Sequence, residues 1–195
     1  MKLYLFLFVA CCSLNASAQQ LTPIYFNGES ITTNKEAATS YAVFGKLSNE
    51  DLWTFKRFDL YDNLLQTGSY KDAKLSIPHG KFTFYDNIER FNVNHETNFK
   101  IKGKTRFLSQ QGTFVDGKEN GEWTLYYPDG NVMNVQHYLS GKLHGEFISF
   151  DKYGKIVAKG NYVNGLKDGD WILESGKQKS YYEKGILKAK PTGRN

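Results

Sequence analysis

The chain writes one phrase three times. "GKENGEWTLYYPDG" at 117–130 is echoed by "GKLHGEFISFDKYG" at 141–154 and by "GLKDGDWILESG" at 165–176. Gly117, Gly141 and Gly165 stand 24 residues apart, and so do Gly121, Gly145 and Gly169. The same interval separates Trp123, Phe147 and Trp171, and also Phe114, Tyr138 and Tyr162. A fixed period of this length means stacked supersecondary units, each unable to bury its apolar side alone. No other feature restricts the fold so tightly, because every unit must hold whole elements in the same order.

Each unit carries two turn signals. The first is the pair before the aromatic, Asn120-Gly121, His144-Gly145 and Asp168-Gly169. Asn-Gly and Asp-Gly favour hairpins that need positive φ at both central residues, and His tolerates that region better than most. The second is Pro128-Asp129-Gly130, matched by Lys152-Tyr153-Gly154 and by Gly176. Two turns and two strands in 24 residues predict an antiparallel meander. The third unit lacks two residues on each side of the second turn: Trp171 to Gly176 spans five positions where Trp123 to Gly130 spans seven. Strand side chains alternate, so losing two per arm shortens a hairpin without flipping a face. Trp123, Leu125 and Tyr127 then share a face, on which Phe114, Tyr138, Tyr162 and Tyr182 stack across strands. The other face carries Tyr126, Ile148, Phe150 and Ile172. Whether that face is buried or binds something stays open.

Upstream the pattern loosens. Gly68-Ser69-Tyr70 resembles Gly112-Thr113-Phe114, and His79-Gly80-Lys81-Phe82 resembles Asn120-Gly121-Glu122-Trp123. An insertion with Pro78 lengthens the loop between them, and 86–107 is expected to hold additional or irregular strands. Residues 19–52 read as an N-terminal segment with a short helix capped at Asn34 and a strand from Tyr41. The organisation expected is therefore divergent hairpins over 53–111, regular repeats over 112–188 and a frayed tail over 189–195. The fold class is all-β, an elongated, twisted antiparallel sheet.

Residues 1–18 have the three-part layout of a secretory signal peptide: Lys2, an apolar run from Leu3 to Cys12, and Ala16-Ser17-Ala18 before the cut. The run is about half the ~20 residues a bilayer span needs. Both cysteines, Cys11 and Cys12, lie within it, so the mature chain has no thiol for a disulfide, a metal or a nucleophile. A lipoprotein reading would lipidate Cys11 after Phe8-Val9-Ala10. Phe8 fits poorly where such signals carry Leu, and soluble export is favoured. Either way the folded part lies outside the cytoplasm. Without Lys2, 24 basic and 20 acidic side chains remain, a mild excess that does not indicate nucleic acid.

The columns Tyr/Phe-x-x-Gly, Gly-Glu/Asp-Trp/Phe and Gly resemble the MORN repeat, especially its bacterial variant. The resemblance is good over 112–188 and looser over 53–86. It implies a sheet of stacked hairpins and a role in protein or membrane contact, and it brings no catalytic residues. Members are often described as antitoxins of toxin pairs, a cytoplasmic role that the signal peptide argues against.

Chemistry-bearing clusters are sparse. His79 and His144 share the turn column with Asn120 and Asp168, so a backbone role suffices, and His95 and His137 show no partner at metal-ligand spacing. Asp116, Asp129, Asp151 and Asp168 read as turn residues, and no cofactor or metal is expected. One stretch stands apart, "FKIKGKTRF" at 99–107. As a strand it lines Lys100, Lys102, Lys104 and Arg106 along one face. That row is either an anion-binding stripe or, more simply, an edge strand whose cations discourage edge-to-edge pairing. The functional expectation is a non-enzymatic exported scaffold in the bacterial envelope that binds another envelope protein. A surface module for anionic lipid or glycan and an immunity protein are the alternatives.

Overall fold

The computed structural model describes residues 23–46, 51–173 and 176–189. Residues 1–18, read above as a signal peptide and holding Cys11, and residues 190–195 of the expected tail lie outside them. The described residues form one open antiparallel sheet of fourteen strands plus one helix. The strands are β1 (Ile24–Asn27), β2 (Ser30–Thr32), β3 (Ser40–Lys46), β4 (Trp53–Asp59), β5 (Leu64–Tyr70), β6 (Gly80–Asn87) and β7 (Arg106–Val115). They continue as β8 (Lys118–Tyr126), β9 (Val132–Leu139), β10 (Lys142–Phe150), β11 (Ile156–Val163), β12 (Leu166–Leu173), β13 (Gln178–Glu183) and β14 (Ile186–Lys188). From β3 onward each strand pairs with its successor, while β1 pairs with both β2 and β3. The meander read from the period is therefore the fold.

The turns fall differently from expectation. The tight hairpin tips are Asp116-Gly117, Ser140-Gly141, Asn164-Gly165 and Lys184-Gly185, each with two consecutive positive φ angles. Two left-handed residues in a two-residue loop match the twist of the flanking strands. Asn120-Gly121, His144-Gly145 and Asp168-Gly169, expected to be these tips, lie inside β8, β10 and β12. There the glycines sit at bulges. Gln111 pairs with Thr124 and Thr113 with Asn120, so Gly121, Glu122 and Trp123 together face Gly112. The same excess recurs around Gly145 and Gly169. A residue left over in a ladder bends its strand, and a left-handed glycine absorbs the bend.

The second turn is where the sequence puts it. Tyr127 N–H donates to Asn131 O (2.8 Å) and Gly130 N–H to Tyr127 O (2.9 Å), and Asp151–Lys155 repeats both bonds. The shortened third unit keeps its register: Gly169 pairs with Tyr182 as Gly121 does with Tyr138 and Gly145 with Tyr162.

The bulge aims the aromatic side chain at its neighbour strand. Trp123 lies over Gly112, where an added Cβ would be 2.1 Å from the indole; Trp171 lies over Gly160 in the same way, and Phe82 over Gly68 at 2.3 Å. The three rings are buried. Edge-on contacts then link Phe55, Tyr70, Phe82, Phe114, Trp123 and Tyr138, with centroids 4.9–6.2 Å apart. A second run joins Phe147, Tyr162, Trp171 and Tyr182. Such pairs add about 0.5–1.5 kcal/mol each beyond burial.

The helix is mid-chain rather than N-terminal. Residues 33–39 form only bends and turns: Asn34 Oδ1 accepts Glu36 N–H, and the chain re-enters the sheet at Ser40. Helix α1 (Ile88–His95) stands instead where further strands were expected, with Asn87 Oδ1 accepting the Arg90 N–H. Ile88 and Phe91, three apart, bury against Phe107, with Phe99, Ile101, Tyr127 and Met133 around them.

Gly112→Ala is expected to lower stability by about 3 kcal/mol, since the methyl group must displace the indole or the strand. Urea unfolding followed by tryptophan emission measures it. Ser140→Asn is expected to raise stability by about 0.5 kcal/mol in the same assay, because Asn accepts the left-handed region more readily.

Candidate interaction surface

The hairpin tips are joined to one another. Gly141 N–H donates to Glu119 O (2.9 Å), Gly165 N–H to Leu143 O (2.7 Å) and Gly185 N–H to Lys167 O (2.8 Å). In each case the acceptor is two residues past the preceding tip glycine. Gly117 begins the series by donating to Pro78 O (2.9 Å). The residues before the bulge glycines add a second tie. His79 Nδ1 accepts from the Asp116 N–H (3.3 Å), His144 Nδ1 from the Asn164 N–H (3.5 Å), and Asp168 Oδ1 from the Lys184 N–H (3.1 Å). This backbone job explains His79, His144 and Asp168 in that column without catalysis. Lys71 pairs with Asp116 and holds its carboxyl below the usual range, with His79 beside it.

These ties fix a ridge. Phe114, Tyr138 and Tyr162 point to the ring-bearing face, so Val115, Leu139 and Val163 point to the other. All three are exposed. Across each tip stand Lys118, Lys142 and Leu166, also exposed, and at the last tip Glu183 on β13 faces Ile186 on β14. From β7 to β14 is seven strand spacings, about 34 Å. The ridge alternates aliphatic and cationic side chains along its first half; beyond, Val163 and Leu166 are neighbours and the exposed Glu183 on β13 separates them from Ile186. Its last strand, β14, pairs with β13 and stands at the end of the strand order. Sequence reading missed the ridge, although Val115, Leu139 and Val163 repeat with the same period as the aromatics.

The four cations expected to form a row do not. Asn92 pins the chain after α1: its Oδ1 accepts the Phe99 N–H (2.8 Å) and its Nδ2 donates to Phe99 O (2.9 Å). Lys104 N–H closes a turn onto Ile101 O (3.1 Å), with Gly103 left-handed at φ 71°. The segment is a loop because its backbone bonds are spent on α1 and on itself. Lys100, Lys102 and Lys104 are exposed there, beside Glu89 and Asn92 in a shallow groove. Arg106 is drawn away into β7, where Nη2 donates to Asp59 Oδ2 (2.7 Å).

Asp59 closes the β4–β5 turn, accepting from the Tyr61 and Asn63 N–H groups, both at 2.9 Å. Burial alone would raise its pKa. Hydrogen bonds from Asn63, Tyr61 and Arg106 outweigh that and hold it below 3.8.

With this geometry in view, residues 119–140, 143–164 and 174–190 match the MORN repeat variant. This is a MORN-repeat β-protein. The matches cover β8 to β11, β13 and β14, and β12 lies between the second and the third. The ring-over-glycine contact of Phe82 with Gly68 extends the same construction upstream, where the sequence resemblance is looser. MORN repeats generally mediate binding, and they form a non-catalytic family. A search of curated proteins finds no match. Among the described residues there is no group of three or more His, Cys, Asp or Glu that could hold a metal ion. No helix among them is long and apolar enough to cross a membrane.

The depressed Asp59 pKa gives stability that is complete above about pH 5 and is lost as pH falls through the folded value, below 3.8. Asp59→Asn is expected to cost about 1–2 kcal/mol at pH 7 and to flatten the acid limb of a stability-versus-pH curve.

Proposed function

We propose that this MORN-repeat protein is a non-enzymatic scaffold of the bacterial envelope, exported by residues 1–18, whose hairpin-tip ridge docks another envelope protein. One observation carries the reading. Val115, Leu139, Val163, Leu166 and Ile186 are exposed at neighbouring hairpin tips, on strands whose inner positions are tied in place. Single exposed aliphatics are ordinary on a protein surface, but aliphatics that recur at every tip, interleaved with Lys118, Lys142 and Glu183, support a contact. Repetition supplies the surface: each unit adds an equivalent contact about 10 Å from the last, so a weak interaction per tip sums along the array. Lys118 and Lys142 fit a partner whose apolar stripe is bordered by carboxylates.

Tagged mature protein is expected to retain a discrete envelope protein at physiological salt, and Leu139→Glu with Val163→Glu is expected to release it. Both changes lie on the exposed face and leave the ring contacts intact, so circular dichroism and unfolding should match the wild type. Equal retention by the double variant, or no retained protein, overturns the ridge as the docking surface.

A further inference from the structure

Away from the matched repeats, a cleft of about 690 Å³ opens over the ends of β3 to β7. Three guanidinium groups line it, from Arg57, Arg90 and Arg106, and each meets one carboxylate. Two of those acids have other work. Asp59 shapes the β4–β5 turn, and Asp86 Oδ1 accepts from the Asn87 N–H (2.6 Å) as well as from Arg90 Nε (2.8 Å). They act as fixed holders of their arginines.

The third pair is unlike them. Glu29 sits at the turn between β1 and β2, with its side chain 90% exposed, and reaches Arg57, whose side chain is 9% exposed. A solvated carboxylate thus caps a buried cation at 2.8 Å. Arg57 does not depend on it for position. Its Nε donates to the buried Ser40 Oγ (2.9 Å), its Nη2 donates to Gly28 O, and its plane lies 4.4 Å from the Phe26 ring centre. A guanidinium fixed on its other sides is a preformed receptor for an oxyanion, preferring the two-oxygen edge of a carboxylate. Glu29 holds the guanidinium through Oε2 while its own side chain stays in solvent, so a competing acid can take its place.

The rest of the cleft sets the ligand's class. With Glu29 displaced, three guanidiniums face two carboxylates, which leaves one positive charge. Gln66 and Ser109 line it with an amide and a hydroxyl, the latter also donating to Phe84 O (3.1 Å), and Phe84 offers one aromatic wall. The volume is in the range of small-ligand sites. We propose that this cleft binds an acidic saccharide unit by its carboxylate at Arg57, with Glu29 as the built-in competitor that the ligand displaces.

The test is a titration of the isotope-labelled protein with glucuronate, glucose and inorganic phosphate, read by amide chemical shifts. Glucuronate is expected to bind weakly and to shift Ser40, Arg57 and Gln66. Glu29→Gln is expected to tighten it about tenfold with the rest of the spectrum unchanged. Glucose is expected not to bind. Arg57→Lys keeps the charge and loses the fork, and is expected to lose at least tenfold. Failure of glucuronate to bind either the wild type or Glu29→Gln overturns the site. Equal affinity in those two proteins overturns the role of Glu29. Binding of glucose as strong as glucuronate, or of phosphate alone, overturns the ligand class.

Discussion

A flat ring lying on a bare backbone is the contact from which the sheet is built. Trp123 over Gly112 and Trp171 over Gly160 leave no room for even a methyl group on the lower strand. That closeness requires a bulge to swing the ring across, and the bulge requires a left-handed glycine four residues after the glycine of the hairpin tip. A single-layer sheet has no second sheet to bury its aromatics. It buries them against its own backbone instead, and the linked rings form two apolar runs that join successive hairpins. The middle unit shows the same rule from its exception. Gln136 stands in the glycine column there, and the ring above the strand is Phe147 in place of Trp.

Much of this was legible from spacing alone. The period, the strand pairs, the second turn and the preserved register of the shortened unit all follow from alternation and from where glycines recur. The first turn was misplaced because two glycines four residues apart both have positive φ, and propensity cannot say which one makes a tip. Asn120-Gly121 has the better hairpin dipeptide. Asp116-Gly117 makes the tip because only that choice leaves room for the bulge that seats Trp123. Tertiary packing thus decided between two locally acceptable bends.

The region before the repeats was harder to read for a different reason. The stretch 99–107 alternates as a strand should, yet Asn92 takes both backbone groups of Phe99 and commits the chain to a loop. A side chain that competes for main-chain bonds seven residues away leaves no periodic trace. Helix α1 was missed because eight residues with two buried apolar positions barely register a helical period. The Arg106–Asp59 pair, 47 residues apart in sequence, lies beyond pattern reading altogether.

The bonds from each tip glycine to the carbonyl two residues past the previous tip have an architectural consequence. Every hairpin presents, on its trailing side, the same acceptor that it used on its leading side. A block of 24 residues is thus a self-matching tile: duplication or deletion in the gene changes the span of the array while each junction stays chemically identical. The length of such a protein can drift by whole tiles, as a ruler is cut at its marks, with no new solution needed at the cut.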